Sequence, residues 1–394
     1  MLGRSNVWKL YGFRFFNSLI PAYVIERLYW EERGMTIQLV IYTEIFYAIT
    51  IMLLELPTGI VADKWGRKPM IVLTAAMGCL EFLILLHATE FWHFALVVAL
   101  AAVGSSAASG AETALLYDSL AVRGHEQQFE KVAGRMQGFD LTATMLAALA
   151  GSWLAHQLDY AFNYWLSLFS MSLCLLLACL LIEPRVKRTL ASEDEEPVPI
   201  RQFVRDALWQ LRGHPGLLLV VLSAMVTGAA INFIDEFWQI YLDRIGVPVL
   251  YFGLFSAAIY VLQLPGSLLA YRLRNVFRYR TLLLAILTAL TLGFSYVAVV
   301  PGMSSMAAIF LICLFAGMIG PLAAGYLHHR IDASMRATLG SFQSFGTNAA
   351  MMGIGLGFGY VTSQWDIFGG YGLIAIICAG FLVYFLFASR SSIA

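Results

Sequence analysis

The sequence predicts an all-α membrane protein in which twelve transmembrane helices form two six-helix repeats. Hydrophobic residues make up 60% of the 394 positions and charged residues 13%, with a mean hydropathy of +0.74. An average soluble domain has about a quarter of its residues charged. Apolar segments long enough to cross a bilayer recur along the whole chain, and the basic residues collect in alternate connections between them.

The apolar segments define the predicted spans one by one. The first of them lacks the features of a cleaved signal peptide, so we expect it to remain in the protein as a span. The twelve predicted spans are 6–28, 37–62, 70–88, 93–121, 132–156, 161–183, 215–242, 249–271, 280–300, 304–328, 337–361 and 368–389.

The distribution of basic residues predicts the orientation of these spans. Basic residues precede the first span and follow every even-numbered one, whereas the other connections hold little more than Arg33 and Arg244. Because positively charged connections remain in the cytoplasm, both termini and the long central connection are predicted to be cytoplasmic. Acidic and basic residues balance at 25 each, so no nucleic-acid partner is expected.

Internal similarity divides the chain into three parts. Residues 55–57 (ELP) resemble residues 263–265 (QLP), and residues 137–139 (QGF) resemble residues 343–345 (QSF), at almost equal offsets. We therefore predict repeats at 1–183 and 215–394. The linker, 184–214, is acidic and then apolar at helical spacing over 200–211, which predicts a helix on the inner membrane surface. It is interpreted as a connector, with a regulatory role as the alternative.

The connection after the second span carries the most specific motif. Residues 59–71 read GIVADKWGRKPMI, and the spacing of Gly59, Asp63, Gly66, Arg67 and Lys68 resembles the loop signature of the major facilitator superfamily. The resemblance covers the whole chain, and residues 109–120 are similar to a poorly characterised prokaryotic branch of efflux proteins. It implies a secondary transporter in a prokaryotic inner membrane that works by alternating access, with a midplane site between the repeats.

The same resemblance implies a conformational latch. In that superfamily the aspartate of the loop docks near the start of the eleventh helix, and the basic residue after the second glycine meets an acid at the cytoplasmic end of the fourth. Asp118 stands at that place here. We therefore expect Asp63, Arg67 and Asp118 to hold the inner side closed in the outward-open state. The alternative is that these charges only set the topology.

Charged residues inside the first repeat predict proton coupling. Arg14, Glu55, Glu112 and Asp140 lie on four different spans, at roughly 10–14 Å from the inner surface when 1.5 Å is counted per residue. One arginine cannot neutralise three carboxylates, so at least one of them can take up a proton. We expect Asp140 and Glu112 to carry protons and Arg14 to modulate them. The alternative is a permanently paired structural cluster.

Polar residues of the second repeat are the candidate solute contacts. An acid beside aromatic rings suits a cationic or amphipathic solute, although aromatic residues also gather at membrane interfaces. Glu81, near mid-depth of the third span, is a weaker candidate. The predicted contacts are Asn232, Phe233, Asp235, Glu236, Trp238, Gln263, Gln343 and Asn348.

These observations favour a proton-coupled exporter of a small hydrophobic or cationic organic solute. The alternative that Arg14 suggests is proton-coupled or facilitative uptake of a carboxylate-bearing solute. A third class, an intramembrane lipid-modifying enzyme or a sensor on a transporter scaffold, lacks any catalytic motif in support. The five cysteines have no metal-ligand spacing. We expect no metal or cofactor, a surrounding of membrane lipid, and a monomer.

Overall fold

The computed structural model describes residues 2–108, 110–122, 124–184, 215–328 and 333–389. Over these ranges the chain is helical with short connections and contains no strand, which confirms the predicted all-α class. The predicted surface helix at 200–211, with most of the linker, lies outside the described residues. Two compact units are formed, residues 1–191 with 248–257 and residues 192–247 with 258–394.

The described residues of the first unit form eight helices. Short 3-10 turns at Pro21–Val24, Glu126–Gln128 and Val249–Tyr251 also belong to it. The helices are α1 (Leu2–Ser18), α2 (Glu26–Glu32), α3 (Ile37–Trp65), α4 (Arg67–Leu85), α5 (Phe91–Ala108), α6 (Ala111–Ala121), α7 (Phe129–Gln157) and α8 (Tyr160–Leu180).

The second unit holds the remaining helices. The last of these helices is divided into two by a change of backbone conformation at Trp365 and Asp366. The helix that begins at Phe252 starts in the first unit, to which its residues up to Ala257 belong. The helices are α9 (Pro215–Arg244), α10 (Phe252–Arg274), α11 (Tyr279–Val299), α12 (Met303–Ala316), α13 (Ile319–His328) and α14 (Ala333–Ala388).

Nine helical segments of the described residues are long and apolar enough to cross a membrane. The difference from the twelve predicted spans has two sources. The kinked α14 counts as one segment although it covers two predicted spans, and neither α1 nor α7 is among the nine. These two helices are less apolar because they carry polar residues, including Arg14 and Asp140.

The first and fourth predicted spans are each broken. The fourth span breaks at Gly110, whose φ of 75° lies in the left-handed region. At the break between α1 and α2, the amide of Asn163 on α8 donates to the carbonyl of Pro21 at 3.4 Å, and the Ser167 hydroxyl accepts from the Ala22 N–H at 3.1 Å. At this first break, side chains of α8 thus replace the missing helical hydrogen bonds where no water is available.

An aromatic column on α9 is the core of the second unit. The rings of Phe233 and Phe237 stack on Phe358 of α14, with centroids 4.7 and 5.2 Å apart. Tyr241 is fully buried, and its hydroxyl lies 2.7 Å from the Ser305 Oγ and 3.1 Å from the Val297 carbonyl. One phenol therefore ties α9 to the end of α11 and the start of α12.

Tyr241→Phe should lower the free energy of unfolding by about 1–3 kcal/mol, because the buried oxygens it leaves behind lose their donor. Tyr296→Phe is the matched control, since its hydroxyl bonds Ser304 at an exposed position. The measurement is thermal unfolding in detergent. Equal melting temperatures for the two variants would contradict this assignment.

Candidate functional site

Three charged side chains meet inside the first unit. The Arg14 Nη1 lies 3.2 Å from the Glu112 Oε2, and the Arg14 Nε lies 3.3 Å from the Asp140 Oδ1. The side chains of Glu112 and Asp140 are 10% and 20% exposed, and that of Arg14 is 33% exposed. One guanidinium thus bridges two carboxylates, and we call this group the Arg14 cluster.

Each member of the Arg14 cluster comes from a different helix. Arg14 lies near the end of α1, Glu112 in the first turn of α6, and Asp140 in the first half of α7. The break at Gly110 gives Glu112 its position, because a carboxylate is favoured beside the free N–H groups of a helix N-terminus. Counting residues from the span ends predicted that these groups share a level, and the structure brings them into contact.

Two further side chains complete the surroundings of Asp140. The Ser18 hydroxyl donates to the Asp140 Oδ1, and the Gln137 amide donates to the Oδ2 at 3.4 Å. Sequence reasoning missed both as site residues. Their spacing could have revealed them, since Ser18 follows Arg14 by four residues and Gln137 precedes Asp140 by three, so each shares a helix face with its neighbour.

A pocket of about 430 Å³ opens beside the Arg14 cluster. Its volume is in the range of small-molecule sites. Polar and apolar groups both contribute to its wall, so it could hold an amphipathic molecule against the charges. Lining residues include Arg14, Glu112, Thr113, Gln137, Phe129 and Met136. Among the described residues, no group of three or more His, Cys, Asp or Glu side chains could bind a metal ion.

The fourth predicted member of this group, Glu55, lies on α3, but its side chain is outside the described part of the structure. The side chain of Asp63 and the surroundings of Gly59 are likewise outside the described part of the structure. The predicted contacts of Asp63 therefore stay a prediction.

The other half of the predicted latch is in contact. The Arg67 Nε at the start of α4 lies 3.6 Å from the Asp118 Oδ2 near the end of α6, and both side chains are largely buried. This ion pair joins the signature loop to the fourth span at the end of the unit where α1 begins. We call this the basic end of the first unit.

Glu183, just beyond α8, is a site residue that sequence reasoning missed. Its Oε1 accepts from the backbone N–H of Arg67 at 3.0 Å, and its Oε2 accepts from that of Lys68 at 2.7 Å. Gly66 precedes them with a φ of 99°, and a Cβ built there would lie 3.1 Å from the Glu183 carboxylate. The glycine therefore allows one carboxylate to cap α4 with both oxygens.

The candidate solute contacts of the second unit differ in burial. Phe233 and Trp238 are buried, and Phe233 belongs to the aromatic column described above. The half-buried members are Asn232, Glu236, Gln263 and Gln343, whereas Asp235 and Asn348 are exposed. The phenol of Tyr260 lies within electrostatic range of Asp235 and Glu236. Of the predicted set, the two acids and their polar neighbours are therefore better placed for solute than Phe233 is.

A family comparison identifies the fold and the class of function. A model of the Major Facilitator Superfamily matches residues 10–355. The chain belongs to the major facilitator superfamily of transporters. The loop motif at residues 59–71, interpreted from the sequence as a signature of this superfamily, agrees with that assignment. The fold and the family are those of transporters and not of enzymes.

Relatives within the superfamily match part of the chain. An uncharacterised transporter of Buchnera aphidicola is 22% identical over 209 residues, which cover 50% of this chain and 52% of that protein. The multidrug resistance protein MdtH of Photorhabdus laumondii is 30% identical over 161 residues, covering 41% of this chain and 38% of that protein. The chain thus aligns with about half, or less, of each relative's length.

Solved structures of the superfamily match nearly the whole chain. The nucleoside transporter NupG superposes with a TM-score of 0.76 at 13% identity, covering 98% of both chains. A D-xylose-proton symporter superposes with a TM-score of 0.69 at 13% identity, covering 98% of this chain and 97% of that one. At such identities the likeness concerns the fold alone.

Gly66→Ala should destabilise the protein by roughly 1–2 kcal/mol, because a side chain is strained at positive φ and would also displace the Glu183 cap. Gly134→Ala on α7 is the control, since a Cβ there meets nothing within 4 Å. Thermal unfolding of both variants in detergent measures the difference. A melting temperature of Gly66→Ala no lower than that of Gly134→Ala would show that the cap does not need the glycine.

Proposed function

We propose that this chain is a proton-coupled secondary transporter that exports a small hydrophobic or cationic organic solute by alternating access. The observation that carries this proposal is the Arg14 cluster beside a pocket of about 430 Å³. The relationship to a protein named for multidrug resistance supports the efflux part of the proposal.

The charge balance of the cluster supports proton coupling. Arg14 bridges Glu112 and Asp140, so the three groups together carry one excess negative charge when all are ionised. In surroundings of low dielectric constant an uncompensated charge is costly, and the site gains by taking up either a proton or a cationic group. A proton and a cationic solute then compete for the same carboxylates, so that binding of one displaces the other. This competition is what couples export of the solute to entry of protons.

A second candidate function rests on the exposure of Arg14. Its side chain is 33% exposed and lines the pocket, so a carboxylate-bearing solute could reach its guanidinium. Such a solute would compete with Glu112 and Asp140 for Arg14 and release a carboxylate to take up a proton. This alternative predicts uptake together with protons instead of exchange against them.

The proposal includes a location and an orientation. We place the protein in the cell membrane of a prokaryote, surrounded by lipid and acting as a monomer, with both termini and the basic end of the first unit in the cytoplasm. The distribution of basic residues supports this orientation. The Arg14 cluster then lies in the cytoplasmic half of the first unit.

Transport by purified protein in liposomes distinguishes the two candidates. The test solutes are ethidium, a hydrophobic cation, and benzoate, a carboxylate. When the inside of the liposomes is acidic, the leading proposal expects ethidium to accumulate inside. Pyranine trapped inside the liposomes reports the protons that leave in exchange. Glu112→Gln and Asp140→Asn should each abolish the pyranine response, because each removes a carboxylate that can carry the proton. Glu90→Gln, an exposed acid outside the site, is the control.

Benzoate movement with protons, in the absence of any ethidium movement, would replace the leading proposal by the second. A pyranine response that survives in both Glu112→Gln and Asp140→Asn would remove the Arg14 cluster from the proton path.

We also propose that the Arg67 and Asp118 pair acts as a latch at the basic end. Asp118→Asn should favour the state open to the cytoplasm, because the pair at 3.6 Å is lost. The measurement is maleimide labelling of Ser105→Cys, a pocket position, in a variant without other cysteines in inside-out vesicles. We expect labelling in Asp118→Asn to rise several-fold above that of the wild-type protein. The charge-swapped double variant, Arg67→Asp with Asp118→Arg, should return labelling to the wild-type level. Unchanged labelling in Asp118→Asn would leave the pair with a topological role only.

A further inference from the structure

A second acid is buried in the first unit, away from the Arg14 cluster. Glu81 is 8% exposed and lies on α4, four residues before this helix ends at Leu85. The helix α4 begins and ends three residues earlier than the predicted span 70–88, so Glu81 lies nearer to its end than predicted. Since α4 starts at the basic end with Arg67, Glu81 lies towards the opposite end of the unit.

No basic side chain of the described residues forms an ion pair or hydrogen bond with Glu81. The charged group within electrostatic range of it is another acid, Glu26, the first residue of α2. Tyr23, in the turn before α2, lies within electrostatic range of both carboxylates and of Tyr47 of α3. Two acids and a tyrosine are therefore electrostatic neighbours at this end of the unit.

The neighbouring elements do not supply a positive charge to Glu81. Arg27 follows Glu26 in the sequence, but its Nη2 donates to the Glu44 Oε1 at 2.8 Å and its guanidinium lies over the Trp30 ring. From α8, Tyr164 lies within range of Glu26. The helix α5, which packs on α4, carries His93 at its start as its one titratable residue.

The buried polar atoms at this end of the unit that have no hydrogen-bond partner among the described residues include the Tyr164 hydroxyl and the Trp30 Nε1, both in side chains about 1% exposed, and the Asn163 Oδ1. Buried groups of this kind are ordinarily satisfied by ordered water. These atoms add buried polar groups to the end of the unit that holds Glu81.

We infer that Glu81, paired with Glu26, is a proton-binding site at the end of the first unit opposite the Arg14 cluster. An ionised carboxylate that is nine-tenths buried beside a second carboxylate and away from any base is strongly unfavourable. Binding one proton between the two removes the repulsion and lets one carboxyl donate to the other or to Tyr23. In the proposed orientation this site faces the outer side, where protons would enter or leave.

Chemical labelling of the wild-type protein tests the site without a substrate. Dicyclohexylcarbodiimide reacts with protonated carboxyl groups in apolar surroundings, and peptide mass spectrometry in nanodiscs locates the adduct between about pH 5 and 9. Glu81 should be labelled, with less labelling as the pH rises, while the exposed Glu90 stays unlabelled. Glu26→Gln should move the midpoint for Glu81 to lower pH, because a neighbouring negative charge is removed.

Labelling of Glu81 no stronger than that of Glu90 at every pH would overturn the inference. A midpoint that Glu26→Gln leaves unchanged would overturn the pairing of the two acids.

The transport role of this site rests on the proposed function, and a separate measurement examines it. In the liposome assay with ethidium and pyranine, Glu81→Gln should abolish the proton signal although Arg14, Glu112 and Asp140 are intact. A full signal in Glu81→Gln would take the site off the proton path. If wild-type protein shows pH-dependent labelling of Glu81 but no pH-driven flux, the proton site stands and the proposed coupling fails.

Discussion

Every polar group that this chain places within its spans must find its partner inside the protein, because the bilayer core offers no water. The break between α1 and α2 shows how the sequence meets that constraint. Asn163 and Ser167 of α8 bond the backbone of residues 21 and 22, so the first span can change direction without leaving peptide groups unsatisfied. The break at Gly110 has a different use, since it provides a helix N-terminus for the Glu112 carboxylate.

The same constraint explains how far the sequence alone could predict the structure. Apolar length determines the spans, and a fixed rise of 1.5 Å per residue converts a position into a depth. That arithmetic was sufficient to predict that Arg14, Glu112 and Asp140 share a level. For Glu81 the same arithmetic is less accurate, because three residues of difference between the predicted span and α4 correspond to about 4.5 Å along the helix axis.

Contacts between distant parts of the chain could not be predicted in this way. Glu183 caps α4 although more than a hundred residues separate them, and no local pattern around Glu183 indicates its partner. The pair of Arg67 and Asp118 was predicted only because family resemblance supplied the contact. The glycine in the loop was a better indication of the Glu183 contact than any pattern around Glu183. A glycine such as Gly66 suggests that another group packs closely against the backbone, but it does not identify that group.

The two acidic sites of the first unit differ in one physical respect that bears on their use. The Arg14 cluster contains a base, so a proton or a cationic group there competes with a guanidinium that bridges two carboxylates. Glu81 has an acid as its charged neighbour, so its charge can be relieved by a proton but not by a movement of an internal base. A site that responds to solute needs an adjustable counter-charge, whereas a site that only holds protons does not. In the proposed function, therefore, the cluster beside the pocket exchanges solute for protons, whereas the acids at the opposite end bind protons only.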